Sequence, residues 1–392
     1  MDRKWSAKVY LPDRLRDSGG FALAMAIFAL VLLAAIVAGG YFSASQEFHI
    51  GRGMRSTTTS FYAGEAGILE VLEDWDAVTI AALAASDSLV IGPFAMEGGG
   101  NYTVSIVRVG SAADSVKRYF YIEAVGRPAS PAVGERRQAV VARARFPDLC
   151  CDAAIRVRNR VVFGGGAQPI ITGFNNDPPG VWPASACSSI PGDSAPGVIT
   201  WRLANVNDPS RITGIPDILV DPMQNTIPSV IDSGDLIYSE LIARADHEFI
   251  GDFTLNGSQP TTVGGQCNEN DPLNWGEPDN PGHPCFDYFP IIRVTGSLNL
   301  TGSGSAQGIL LVDRDLKITG PFEFYGIAIV QGHLEMSGPV DFYGGAMVGE
   351  DVRFSGATPR FWLSRCASER AERLSNLTRP SLVSPRAWVE LF

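Results

Sequence analysis

The residues with catalytic potential recur at a fixed interval in the C-terminal half. Asp315, His333 and Asp351 are each 18 positions apart, and so are Glu323 and Asp341. If that interval is one turn of a repeating structure, the first set stacks carboxylate, imidazole and carboxylate, a combination that can hold a metal or move protons. The second set places two acids about 5 Å apart, the separation used by retaining glycoside hydrolases. Against both stands a plainer reading, a ladder of hydrogen-bonded side chains at a solvated corner. The ladder is favoured, because a sugar-cleaving cleft is built from long loops and these repeats have none. The sequence contains no G-x-S-x-G, no H-E-x-x-H and no phosphate-cradling glycine loop, and its four histidines, His49, His247, His283 and His333, form no cluster. The loop "NENDPLNWGEPDN" offers Asp271, Glu277 and Asp279 to calcium, but it lacks the ordered alternation of a calcium loop and reads as solvated. The expectation is no catalytic residue, no cofactor, no metal and no enzyme.

The element that positions these residues is an internal repeat. In rows of eighteen, residues 290 to 361 align without a gap, with columns Val294, Val312, Val330, Val348 and Leu298, Leu316, Leu334, Val352. A third column is Leu300, Ile318, Met336, Phe354, and a glycine column runs through Gly302, Gly320, Gly338 and Gly356. Apolar columns two residues apart are strand periodicity, and a glycine at each equivalent position supplies a corner. One such coil cannot bury its inward face alone, so stacked coils make the core: a β-helix. It is similar to bactofilin-like and other short-coil β-helices. Residues 155 to 173 look like an earlier coil, so the β-helix is expected over 153–363 with an irregular disulfide-stapled insertion. Outward, Asn299, Lys317, Glu335 and Arg353 alternate in charge on a solvated face. Ile309, Ile327, Leu311, Ile329 and Met347 also point outward and need a cover. The candidates are the helix around "ASERAERLSNL", the tail Trp388 to Phe392, or another subunit; a tethered tail is favoured, giving a capping helix and tail over 364–392.

Composition bounds the rest. A net charge of −11 and a pI near 4.9, with no dense basic block beyond residue 20, work against nucleic-acid binding. Six cysteines, Cys150, Cys151, Cys187, Cys267, Cys285 and Cys366, include no C-x-x-C pair. Disulfides are expected, one joining Cys267 to Cys285 across a loop too polar to build a core, and a second joining Cys187 to Cys150 or Cys151.

Residues 21 to 42, "FALAMAIFALVLLAAIVAGGYF", carry no charge and no proline, and as a helix span about 33 Å, enough to cross a bilayer. Arg3, Lys4, Lys8, Arg14 and Arg16 precede the run, which places residues 1–20 in the cytoplasm and exports the rest. Helical spacing continues outside through Phe61, Ile68, Leu72 and Trp75. Three β-rich segments follow, "NYTVSIVRV", "RYFYIEAVG" and "RRQAVVARARF", so a helix on a small antiparallel sheet is expected over 43–146.

A basic leader, Gly-Gly-Phe and a long apolar helix resemble the class III signal of type IV prepilins. "SFYAGEAGI", with Ala63, Glu65, Ala66 and Gly67, resembles the signature of PilX-type minor pilins. The resemblance covers roughly residues 18 to 75 and implies cleavage by a prepilin peptidase between Gly20 and Phe21. It also implies partnership with other pilins, an inner-membrane location and close helix packing in a filament through Ala22, Ala26, Ala29 and Ala38. Major pilins carry Glu at the fifth mature position; here it is Met25, which suits a tip, initiating or sparse subunit. The fold class expected is thus mainly β with a long N-terminal α-helix: a pilin-like helix and sheet followed by a β-helix with a surface ligand unspecified.

Overall fold

The computed structural model describes residues 19–76, 79–80, 82–97, 99–110, 117–129, 134–145, 149, 152–164, 170–178, 182–187, 194–232, 237–356, 358–383 and 389–391. The leader before residue 19 lies outside them. Helix α1, Gly19–Glu73, runs without interruption for 55 residues, about 80 Å. No proline interrupts it, and it ends two residues before Trp75. Four antiparallel strands follow: β1, Ser88–Ala95; β2, Asn101–Val109; β3, Lys117–Arg127; and β4, Arg136–Arg145. β2 to β4 occupy the three segments expected. β1 escaped notice because Gly92 and Pro93 break its apolar pattern, and the pairing shifts register there.

Alternation on β2 and β3 buries Tyr102, Val104, Ile106, Phe120 and Ile122 against the exported half of α1, which contributes Ala63, Ile68 and Val71. The contact is close. A Cβ on Gly126 would overlap the Ser60 carbonyl oxygen, and one on Gly67 would press on the Tyr102 ring.

The C-terminal half is a stack of parallel coils. Strands Ile291–Val294, Gly304–Val312, Phe322–Val330 and Asp341–Val348 pair at an 18-residue offset, as do Leu298–Leu300, Leu316–Thr319, Leu334–Ser337 and Val352–Ser355. The three apolar columns fill one core, none of their members more than 1% exposed. The Gly302 column has φ of +85° to +88° at its corner. A second glycine column, Gly308, Gly326 and Gly344, turns the next corner at φ +133° to +148°, and a Cβ on Gly326 would overlap the carbonyl oxygen of Gly308. L-residues with a Cβ are excluded there by both conformation and space.

The order of coils in space is not their order in sequence. Ile155–Val157 pairs with Ala346–Val348, and Val161–Phe163 with Val352–Phe354. The segment read as an earlier coil therefore stacks on the last regular coil, and Val198–Thr200 and Ile218–Val220 continue outward from it. The chain then returns past the stack to His247–Phe249 at the opposite end and coils back. Charged pairs stitch the junction of the two runs: Arg158 to Glu350 at 3.0 Å and Arg160 to Asp351 at 3.1 Å.

The ends differ. Phe249 and Phe253, stacked at 3.9 Å, and the fully buried Trp275 fill one terminal coil. At the other end Val220 and Leu203 are 43% and 56% exposed.

The outward apolar column is covered by the helix Arg365–Leu374, through Cys366, Ala367 and Ala371, together with Trp182 and the short helices Ile227–Ile231 and Tyr238–Ile242. The tail goes elsewhere, which corrects the expectation that it provides the cover. Ser381–Leu382 and Val389–Leu391 add to β4, closing an edge that would otherwise be free to pair. The β-helix is thus inserted in the turn of an antiparallel pair formed by β4 and the tail. The Cys267–Cys285 disulfide forms as expected, but Cys187 bonds Cys366, not Cys150 or Cys151, both of which lie outside the described residues. Cys187 meets Cys366 because the covering helix brings it onto the same face, a proximity invisible at a separation of 179 residues.

Candidate functional site

Two regions gather the residues singled out from the sequence: α1 and the outer surface of the β-helix. On α1, Phe21, Met25 and the alanines 22, 26, 29 and 38 are exposed, and the helix passes unbroken from Gly19 through the Gly20–Phe21 bond. Leu30, Leu33 and Ile36 are 67%, 62% and 65% exposed, with no described residue covering them. Among the described residues this is the one helix long and apolar enough to cross a membrane. The same helix changes character beyond residue 60. Ala63 and Gly67 are buried on the sheet, Glu65 and Ala66 half-buried, and the amide of Gln138 donates to the Phe61 carbonyl oxygen at 2.8 Å. The Ala-Gly-x-Ala-Gly pattern has a packing cause: small residues let the helix backbone approach β2 and β3.

On the β-helix, Asp315, His333 and Asp351 form the corner ladder. Asp315 Oδ1 accepts the His333 backbone N–H at 2.8 Å, and His333 Nδ1 accepts the Asp351 N–H at 3.1 Å. The Asp351 carboxylate is buried, which alone would raise its pKa. Hydrogen bonds from Arg353 and Arg160 outweigh burial and hold it below the usual aspartate value. Each member therefore ties one coil to the next. Glu323 and Asp341 sit opposite each other on adjacent coils. Glu323 accepts the Tyr325 hydroxyl; Asp341 accepts Arg360 at 2.6 Å and Trp362 Nε1 at 3.0 Å. Burial pushes the neighbouring Tyr343 hydroxyl up to about 12, with Asp341 adding to it. Both acids are held by partners on their own face.

The acidic loop disperses its carboxylates. Asp271 accepts the Thr261 hydroxyl and the Leu273 N–H, whereas Asp279 accepts the Ser305 hydroxyl. Burial raises the Glu277 pKa, and Asp279 adds to the shift. One trio of ligand-type atoms lies together among the described residues, on Asp177, Cys187 and Cys366, but its two sulfurs are joined in the disulfide.

Sequence reasoning missed an arginine. The Arg370 guanidinium lies 4.8–5.3 Å from the ring centres of Trp182, Phe286 and Phe289 and pairs with Asp287 at 2.5 Å. Burial lowers its pKa, and Asp287 opposes that. This locks the covering helix to the insertion. The signal, an Arg-Ala-Glu-Arg run on a helix, is indistinguishable in sequence from a solvated surface.

No protein-family model matches the chain, and no curated protein is similar to it. Among solved structures, the crystal structure of the competence-associated pilin ComZ from Thermus thermophilus is similar over 86% of this chain and 97% of that one, at 13% identity and a TM-score of 0.26. A TM-score of that size carries no argument, so function is read from this chain's own residues.

Proposed function

We propose that the chain is a non-enzymatic minor pilin of the PilX type, inserted in the inner membrane by α1, cut before Phe21 by a prepilin peptidase and incorporated in, or priming, a type IV pilus-like filament. The observation that carries this reading is the division of one continuous helix. Its first half is apolar and uncovered, and its second half is core to a sheet. A helix that serves as both anchor and scaffold can be drawn from lipid into a filament core without unfolding the domain attached to it. Met25 in place of a membrane-buried carboxylate supports a tip or sparse position. Two disulfides among the described residues support export of everything beyond the helix. Held by two strands of the sheet, the β-helix is displayed for interaction.

The rival is an uncleaved anchored scaffold that polymerises through its coils. End-to-end growth needs two stackable ends, and the aromatic plug at the His247–Phe249 end speaks against it. The test is fractionation of cells carrying the chain tagged after residue 392. The tag is expected in sheared filaments, and there only when the prepilin peptidase is present. Recovery solely from membranes, with or without the peptidase, would favour the anchored scaffold.

A further inference from the structure

We propose that the six-stranded face of the β-helix is a glycan-binding surface that takes a neutral, polyhydroxylated chain along the axis of the coils. The inference rests on the reading of the β-helix as a displayed domain and names the ligand class. The apolar outer face lies under the Arg365–Leu374 helix, but the face made by Leu298–Leu300, Leu316–Thr319, Leu334–Ser337 and Val352–Ser355 is covered by no element among the described residues, and Lys317 and Arg353 on it are exposed. A groove of about 220 Å³ runs across it, lined by Asn299, Lys317, Glu335 and Arg353 from successive coils and by Asp315 and His333 from the adjoining corner.

The lining decides the class. Lys317 stands 3.2 Å from Glu335, and Arg353 2.9 Å from Asp351, so charges cancel in pairs and a polyanion or polycation gains little. The carboxylates do not converge as metal ligands do. The apolar side chains of these strands point into the core, which leaves no anchor of the kind a peptide uses. What remains is a row of hydrogen-bonding groups repeating about every 4.8 Å. His333 Nδ1 accepts the Asp351 N–H, so the neutral ring carries its proton on Nε2 and donates from there. Asp315 Oδ1 is engaged by the His333 N–H, which leaves Oδ2 as an acceptor. Donors and acceptors alternating at the length of roughly one hexose fit hydroxyls, each of which donates and accepts.

The test is titration of the full chain, solubilised in a detergent without a sugar head group, with cellohexaose, chitohexaose and mannohexaose, and with hexagalacturonate as the charged control. At least one neutral hexasaccharide is expected to bind, and the double variant Lys317→Ala, Glu335→Ala, which removes a donor and an acceptor from the row, is expected to weaken it about tenfold or more with circular dichroism unchanged. Absence of binding by all three neutral probes at millimolar concentration overturns the proposal, as does tighter binding of hexagalacturonate or full binding by the variant. The titration requires no filament, so it can fail while the pilin reading stands, and the reverse.

Discussion

The molecule has two apolar outer faces that meet opposite fates. Ile309, Leu311, Ile327, Ile329 and Met347 on the β-helix are at most 4% exposed beneath a helix pinned by a disulfide and a caged arginine. The apolar residues of α1 between Phe21 and Phe42 stay about half to three-quarters exposed. The described residues provide a dedicated cover for one face and none for the other, which under the proposed function is left for lipid or other subunits to complete. Breaking either half of that contrast gives measurable consequences.

The largest effect is expected in α1. Leu30→Asp with Leu33→Asp places two charges mid-helix, at about 2.5–3.5 kcal/mol each on insertion scales. Carbonate extraction should then release a chain that is otherwise retained. Next comes the second glycine corner. Gly326→Val combines a disallowed φ with backbone overlap and should lower stability by about 3–5 kcal/mol in urea titration. Gly345→Ala, whose new Cβ would meet just the Ser368 hydroxyl at 3.9 Å, should change it by no more than about 0.5 kcal/mol. Replacing Cys187 and Cys366 by serine should cost about 2–4 kcal/mol and speed amide exchange in the covering helix more than in the coils. Truncation after Arg379 should expose β4, with faster exchange confined to the antiparallel sheet.

The smallest effect is a pH dependence at the plugged end. Burial lowers the pKa of His247, opposed by Asp246 and Asp271. Its Nε2 lies 3.0 Å from the Tyr288 hydroxyl, which donates to the Glu269 carbonyl oxygen, so Nε2 carries a proton and donates to the Tyr288 oxygen, and burial favours the neutral ring. The folded state therefore binds a proton less readily than the unfolded one. The contribution is complete above about pH 6.5 and shrinks as pH falls below that value. His247→Gln should flatten the urea midpoint between pH 7.5 and 5.5 relative to the parent chain.

What the sequence revealed follows from how each part is specified. The β2 to β4 meander pairs neighbours in the chain, so alternation and turns suffice to place it. The coil period was legible because inward columns and corner glycines recur at every turn. The order of coils was not legible, since Val157 presents to Val348 the same surface that a following coil would present. The tail escaped because its partner β4 lies more than 200 residues away, and Cys187–Cys366 for the same reason. At the candidate sites, the carboxylate and histidine columns were found by spacing. Their structural role appeared once the backbone amides of the next coil were in place to bind them.

The central claim is that α1 begins, in the mature protein, as the free end of a filament-forming helix. Intact-mass and N-terminal sequencing of the protein from cells that contain a prepilin peptidase tests it most directly. The account predicts a chain starting at Phe21; a chain retaining Met1 would contradict it.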